Sequence, residues 1–286
     1  MPNLIDIRRR IRSVRNTQQI TKAMKMVSAA KLRRAQERVV ASRPYVKLLE
    51  QMLANIAAAA HGVEGEPDPL LAVRPEKKVL AITFSGEKGL CGAFNANIFK
   101  AVATFVQERH GVELRHEAVG RKARDYFRKR NITIEHDYAG LLTSVQHADA
   151  ARIAEYAMDQ FRSAEVDAVY LIYNEFRSVL SQKVVAKKLL PMELATGEDG
   201  PADYIYEQPP ADLLGSLLPR YVDMEIYRAM LESAAAEHAA RMTAMDAATS
   251  NAAEMIEKLT LFMNRVRQAS ITKEIIEVVS GATAGE

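Results

Sequence analysis

Apolar and small residues recur at alternating spacings of four and three along the C-terminal part of the chain. The repeat occupies Leu231, Ala235, His238, Met242, Met245, Thr249, Ala252, Ile256, Leu259, Met263, Val266 and Ser270. A 3.5-residue period is the seam of a left-handed coiled coil. No proline follows Pro219 and no glycine lies between Gly215 and Gly281, so few helix breakers interrupt this stretch. We therefore predict one long coiled-coil helix over residues 211–286.

A similar stripe covers the N-terminus, where residues 4–59 contain one proline and no glycine. Leu4, Ile7, Ile11 and Val14 begin it, and we expect Ile20, Met24 and Val27 to resume it after a polar gap. A further seam follows at Leu32, Ala35, Val39, Ser42, Val46, Leu49, Leu53 and Ile56. Pro44 is expected to bend or break this helix, because its ring removes one backbone hydrogen bond. The sequence predicts an N-terminal helix over residues 1–60, paired antiparallel with the C-terminal helix.

Between the two helices the period changes to that of strands alternating with helices. Short apolar runs predict strands at 79–84, 112–119, 132–134, 166–176 and 181–190, the last two as a hairpin. Amphipathic segments predict helices at 95–109, 121–130 and 147–163, and Gly/Pro-rich linkers cover 61–75 and 197–210. This order is typical of an α/β domain with a largely parallel sheet. The predicted fold is a long antiparallel coiled coil of the terminal helices with a Rossmann-like α/β domain inserted at residues 76–195.

The net charge of +3 conceals a strongly basic first helix. Residues 1–48 carry thirteen Lys and Arg against only Asp6 and Glu37, a local charge of about +11. Such a helix favours an acidic partner: nucleic-acid phosphates, anionic lipid or acidic protein loops. The alternative is a solvated face that keeps the helix in solution, which the imbalance of charge disfavours.

Residues able to perform chemistry are sparse. The glycine-containing segment 85–95 follows a predicted strand, as phosphate-binding loops do, but it matches neither a P-loop nor a dinucleotide-binding fingerprint. We interpret it as a tight turn. Six scattered histidines lack metal-ligand spacing, and Cys91 as the single cysteine fits a reducing compartment. We expect no catalytic site, cofactor or metal, and no membrane span.

Several segments resemble one protein family. Residues 7–32, IRRRIRSVRNTQQITKAMKMVSAAKL, closely resemble the N-terminal helix of γ subunits of F-type ATP synthases. RMTAMDAATSNAAEMI at 241–256, NRVRQASIT at 264–272 and ITKEIIEVVSGATA at 271–284 resemble the C-terminal helix, and GLCG at 89–92 resembles a central motif. The turn FSGEK at 84–88 departs from the family pattern, which leaves the contacts of that turn open.

The resemblance implies a non-catalytic rotor subunit of a bacterial-type enzyme. Its expected partners are an α3β3 ring holding the catalytic sites, an ε subunit and a membrane ring of c subunits. It would lie peripherally on the cytoplasmic face of the inner membrane, associated with the membrane through the c-ring. The resemblance also implies contact with β subunits at Lys22, Met24, Lys25, Arg267, Gln268, Thr272 and Glu274. Met24 and Thr272 could instead be ordinary seam residues.

Two other functions compete on the residues alone. The basic helix suits a nucleic-acid-binding coiled coil, although its only aromatic residue is Tyr45. The α/β segment suits a nucleotide-binding enzyme with helical arms. Salt-dependent binding to DNA would support the first and ATP binding by the chain alone the second, whereas the family resemblance favours the rotor without nucleic acid.

Overall fold

The structure, a computed structural model, describes residues 3–60, 68–193 and 207–283. It divides into two compact units. One comprises Met1–Ser28 with Met242–Glu286, and the other comprises Ala29–Arg241. Each unit is described separately below.

Within the described ranges, five α-helices and five strands follow the predicted order. The helices are α1 Leu4–Ala60, α2 Phe94–Glu108, α3 Arg121–Lys129, α4 His147–Arg162 and α5 Pro210–Thr283. The strands are β1 Lys78–Phe84, β2 Glu113–Val119, β3 Asp137–Tyr138, β4 Ala168–Phe176 and β5 Gln182–Leu190. Short 3-10 turns occupy Pro69–Leu71 and Leu141–Thr143.

The five strands form one sheet in the order β3-β2-β1-β4-β5. β1 pairs in parallel with β2 and with β4, and β2 pairs in parallel with β3. β5 returns antiparallel to β4, as the predicted hairpin requires. The continuous apolar run of β1 reflects its central position, because such strands are covered on both faces.

Alternation along the strands supplies the core of the α/β region. Val79, Ala81 and Ile172 pack with Ile98, Val102 and Phe105 of α2 and with Phe127 of α3. Leu80, Ile82 and Leu171 are equally buried and project to the opposite face, since successive side chains of a strand alternate. α4 packs against β4.

Within the larger unit, α1 and α5 run antiparallel along the α/β region. Arg38 donates to Tyr227 Oη at 2.9 Å, and further along α1 Glu50 accepts from Tyr221 Oη at 3.1 Å. The seam predicted from Leu32 to Ile56 is buried at Leu32, Val39, Val46, Leu49, Leu53 and Ile56. The prediction of seam positions is confirmed for this part of α1.

Two local predictions are corrected by the structure. The expected break at Pro44 is absent and α1 continues through it, because Pro44 is exposed and water can satisfy the carbonyl group that the missing amide leaves free. Residues 132–134 form no strand: the Ile132 amide donates to the Phe127 carbonyl oxygen at the end of α3, and β3 lies at Asp137–Tyr138 instead. The predicted linkers fall largely outside the described residues, at 61–67 and 194–206.

Candidate functional site

The first candidate surface lies in the smaller unit, where the start of α1 pairs with the second half of α5. Thr21 Oγ1 and Thr249 Oγ1 are 2.8 Å apart, and Lys25 Nζ donates to Asp246 Oδ1 at 2.6 Å. From the first pair to the second the residue number rises along α1 and falls along α5, so the two helices are antiparallel. Met245 and Ala252 are buried, and Ile256, Leu259, Met263, Val266 and Ser270 are half-buried, as the seam prediction requires.

The predicted seam of α1 in this unit is buried or half-buried from Leu4 to Val14, but from residue 20 onward it differs from the prediction by one residue. Ile20 and Val27 are 59% and 58% exposed, whereas Thr21 and Ser28 are buried. The buried positions 21 and 28 of α1 are therefore polar. Small hydroxyl side chains allow the two helices to approach closely and can hydrogen-bond to one another, as Thr21 and Thr249 do. As a consequence, Ile20, Met26 and Val27 form an exposed apolar surface on α1.

The predicted contact residues occupy two separate places. On α1, Lys22 is exposed, while Met24 and Lys25 are half-buried and Lys25 is paired with Asp246. On α5, Arg267, Gln268, Thr272 and Glu274 are all exposed. Arg267 lies 18 residues beyond Thr249, which corresponds to roughly 27 Å along a helix. The structure therefore does not bring the two groups together.

Local hydrogen bonds order the α5 group. Thr272 Oγ1 donates to the Gln268 carbonyl oxygen at 2.9 Å, and Ser270 Oγ donates to Glu274 Oε1 at 3.2 Å. Thr272 is exposed, so it is not a seam residue within this chain. Met24 is half-buried, which is compatible with a role in the seam.

The last described turns of α5 extend beyond the level at which α1 begins. Thr21 lies opposite Thr249 in the antiparallel pair. Leu4, the first residue of α1 and 17 residues before Thr21, therefore lies at about the level of Val266, which is 17 residues after Thr249. Every residue from 271 to 280 is exposed. Large apolar side chains are among them: Ile271, Ile275, Ile276, Val278 and Val279. We call residues 271–280 the terminal apolar segment.

Basic residues cover the outer surface of α1. All thirteen Lys and Arg of residues 1–48 are exposed except Lys25, which is half-buried. Three form ion pairs with described residues: Lys25 pairs with Asp246, Arg9 lies 4.0 Å from Asp6, and Arg33 Nε lies 3.3 Å from Glu37. Arg38 has a structural role, since it also donates to the Val145 carbonyl oxygen at 2.6 Å. The remaining positive charge is available to a partner.

The segment after β1 is a structural joint in the larger unit. Arg241 of α5 pairs with Glu237 and donates to the Gly89 carbonyl oxygen at 3.3 Å. Gly86 N donates to Asn95 Oδ1 at 2.9 Å, and a Cβ at Gly86 would lie 3.1 Å from Glu237 Cδ. Helix α5 thus occupies the crevice where open α/β sheets usually bind ligands.

Other candidates for chemistry are also structural. Burial raises the pKa of the Cys91 thiol, and its sulfur accepts from Asn95 Nδ2 at 3.1 Å. Burial lowers the pKa of His238, on the predicted seam, to about 4. Among residues 3–60, 68–193 and 207–283, no acidic, histidine and cysteine side chains group as metal ligands. Nor does any helix in that part combine the length and apolarity needed to cross a bilayer.

Known proteins share both the sequence and the fold. The gamma chain of the ATP synthase of Solibacter usitatus is 63% identical over 287 residues, which cover 100% of both chains. The gamma chain of Pelotomaculum thermopropionicum is 49% identical over 288 residues, again with both chains fully covered.

Solved structures give the same result. The central stalk and c-ring structure of the Tetrahymena thermophila mitochondrial ATP synthase includes a chain with 26% identity and a TM-score of 0.62, covering 80% of this chain and 99% of that one. A chain of the Euglena gracilis rotor is similar in fold alone, with 21% identity, a TM-score of 0.66 and coverage of 94% and 98%.

The predicted combination of long terminal helices with a mixed α/β sheet is confirmed. The sequence model of the ATP synthase family matches residues 3–284. With the identity to full-length gamma chains, this match confirms the resemblance seen in the sequence: the chain belongs to the ATP synthase family, as a gamma chain.

Proposed function

We propose that this gamma chain turns inside a ring of α and β subunits and transmits rotation of a membrane c-ring to the catalytic β subunits. In the reverse direction, ATP hydrolysis in the ring would turn the chain. As a gamma chain it is a non-catalytic central-stalk subunit of a rotary ATP synthase, so the predicted rotor role is confirmed. The individual contacts through which it works are the proposal.

The terminal apolar segment is the observation that supports this proposal most strongly. Five large apolar side chains are exposed there on one broad face of α5: Ile271, Ile275, Ile276, Val278 and Val279. Apolar surface of this extent marks an interaction site. At 3.6 residues per turn these side chains spread over roughly 160° of the helix circumference, so they favour a partner that covers one broad face of α5. The inner surface of a ring of subunits provides such a partner.

The exposed charges of α1 suggest a second contact. Lys22 is exposed and has no ion pair within the described part of the chain. Attraction between a basic surface and acidic loops is long-ranged and does not require one rotational position. We infer that Lys22, Met24 and Lys25 contact β subunits at one level. Arg267, Gln268, Thr272 and Glu274 would contact them at another.

The remaining partners follow from the family. Structures similar to this chain are named as central stalk with c-ring and as rotor of ATP synthases, so the chain belongs to an ATP synthase complex. We infer that its α/β region meets an ε subunit and the c-ring. The chain would then be peripheral to the inner membrane on its cytoplasmic face. No cofactor is needed for this role.

Reconstitution tests the proposed function. Purified α and β subunits are mixed with and without this chain, and ATPase activity and complex mass are measured. We expect a complex of three α, three β and one gamma chain that hydrolyses ATP rapidly. A chain that neither co-purifies with the ring nor changes its activity would contradict the proposal, and DNA binding would be tested next.

A further inference from the structure

A wholly buried carboxyl group lies in β2, away from the helix surfaces described above. The Glu117 side chain is 0% exposed. Its Oε1 lies 3.4 Å from Tyr138 Oη, which donates to it, and 3.3 Å from His136 Nδ1. Its Oε2 is buried without a hydrogen-bond partner. If the group were an ionised carboxylate, burying this oxygen would cost free energy, because the oxygen loses its hydration without gaining a hydrogen bond.

The surrounding charges do not neutralise Glu117. Arg115 of the same strand is 3.2 Å from Glu165, and Arg152 of α4 is 3.1 Å from Asp149. Tyr156 of α4 contacts the His136 ring, with centroids 4.2 Å apart, and Glu135 adds negative charge. Within the described residues, His136 is the only basic group at ion-pairing distance from Glu117.

These surroundings favour the protonated carboxyl group. Charge-assisted hydrogen bonds are usually about 2.7–2.9 Å long, so the two contacts of Glu117 would stabilise a carboxylate poorly. Burial, together with the nearby Glu135, raises the pKa of Glu117 to about 8 even though Tyr138 opposes the shift. The group therefore holds a proton near neutral pH that it would release in water.

The two residues that contact Glu117 fix the edge of the sheet. β3 comprises only Asp137–Tyr138. Ala118 N donates to the His136 carbonyl oxygen and Gly120 N to the Tyr138 carbonyl oxygen, both at 3.1 Å. A 440 Å³ cavity lined by His136, Tyr138 and Tyr156 lies beside these contacts. It leaves room for both side chains to move.

The same edge connects to the joint at α5. Gly140, two residues after β3, donates its amide to Glu87 Oε1 at 2.8 Å. Glu87 Oε2 accepts from the amide of Arg121, at the start of α3, at 3.3 Å. Glu87 precedes Lys88 and Gly89, whose backbone meets Glu237 and Arg241. A change in the position of β3 would therefore alter the hydrogen bonds of Glu87, which lies in the segment that meets α5.

We propose that the protonated Glu117 side chain, in contact with His136 and Tyr138, is a proton-sensitive pin that holds β3 to β2. Opening of this edge exposes Glu117 to water, where it ionises. The edge therefore opens more readily as pH rises. In the assembled protein this pin would make the α/β region respond to the pH around it.

The direction and limit of the effect follow from linkage. Glu117 has a higher pKa when buried than when exposed, so opening releases one proton between the two pKa values. The opening equilibrium constant then rises about tenfold per pH unit, from roughly pH 4.5 up to about pH 8, and becomes level above it. Stability of the edge is greatest at low pH and is lost as pH rises.

Hydrogen exchange of the full-length chain tests the pin. Dilute protein is labelled between pH 6 and pH 8.5, and protection factors, corrected for intrinsic exchange, are compared for peptides covering 116–121 and 79–84. We expect protection at Ala118 and Gly120 to fall by up to about tenfold per pH unit below pH 8. The central strand β1, in 79–84, should change much less.

Glu117→Gln and Glu135→Gln form the matched pair of variants. Glu117→Gln should abolish the pH dependence at 116–121, because the amide cannot ionise, whereas Glu135→Gln should retain most of it. Flat protection in the unaltered chain, an equal slope in both peptides, or a slope that persists in Glu117→Gln would each overturn the proposal. The unaltered chain decides the question even if Glu117→Gln fails to fold.

Discussion

Buried charged residues of α5 hold the segment that follows β1. Arg241 is 10% exposed in its side chain and Glu237 5%, and the two form an ion pair whose members also contact the backbone at Lys88 and Gly89. Removing one member leaves the other charge buried without its partner. The contact between α5 and the segment after β1 therefore depends on these two side chains.

Arg241→Gln should therefore destabilise the larger unit by about 3–5 kcal/mol, the usual cost of breaking a buried ion pair. The urea midpoint of unfolding, followed by circular dichroism, measures the effect. Lys258→Gln is the control, because Lys258 forms an exposed i,i+4 pair with Glu254. Equal midpoints for Arg241→Gln and the unaltered chain would show that the joint does not contribute to stability.

Lys25 has an intramolecular role that its neighbour Lys22 lacks. The Lys25 ammonium is 2.6 Å from Asp246, whereas Lys22 is exposed. We expect Lys22→Glu to slow ATP-driven proton pumping, because it places like charge against the acidic β loops that we infer. Lys25→Glu should do the same and also weaken the pairing of α1 with α5.

The exchange Lys25→Glu with Asp246→Lys separates these two effects. It restores the pair within the chain but leaves Glu at position 25. If the contact with β subunits matters, pumping stays slow while thermal stability recovers. Full recovery of pumping by the exchange would assign Lys25 to the coiled coil alone, and unchanged pumping in Lys22→Glu would remove that lysine from the mechanism.

At the scale of the helix, an unbroken count of the repeat identifies the polar seam of α1. Spacings of four and three from Val14 lead through Gln18, Thr21, Lys25 and Ser28 to Leu32. The apolar residues Ile20, Met24 and Val27 also show a spacing of four and three, but one residue or so out of phase. Thr21 and Ser28 are buried, so the phase of the helix outweighs side-chain hydrophobicity at these positions.

The terminal apolar segment is a helix whose burial depends on a partner. Ile275→Ser with Val279→Ser should leave the stability of the isolated chain nearly unchanged, because both residues are exposed. Binding to the ring should weaken by roughly 1.5–3 kcal/mol per side chain, the value of fully burying a Val or Ile side chain. Dissociation of the labelled chain from the reconstituted ring measures this loss.

Ile275→Val with Val279→Ile is the control, since it preserves the apolar surface. It should dissociate at nearly the normal rate. If the serine variant dissociates no faster than this control, the segment is not enclosed by the ring.

At the scale of the whole molecule, we expect the charge of the first helix to control the rate of association. Its basic residues remain exposed in the described structure, and the Debye length is about 8 Å at 0.15 M salt. Assembly with α and β subunits should therefore become slower as ionic strength rises. Stopped-flow measurement of assembly in increasing NaCl tests this expectation.

The variant Arg8→Gln, Arg9→Gln, Arg10→Gln should assemble more slowly at low salt and show a weaker dependence on salt. The same three positions changed to Lys keep the charge and should behave normally. An association rate that is independent of salt in the unaltered chain would assign assembly to the apolar surfaces.

The sequence by itself determined the element order, the long terminal helices, most of the seam and the family. Heptad spacing and the absence of helix breakers act locally along the chain, and strand periodicity does so within the α/β region. The predicted contact residues lie on two helices, so their separation into two levels depends on the register of α1 against α5, and their contact with β subunits stays a prediction.

Only the tertiary structure decided which groups meet across the chain. In the sequence, Glu117 is one polar residue of β2 among others. In the structure, the pairing of β3 and the packing of α4 bury its side chain beneath His136, Tyr138 and Tyr156. Glu237 and Arg241 read as a helical i,i+4 pair, but they face the segment after β1. In both places residues far apart in sequence remove a charged group from water, and local periodicity contains no information about that.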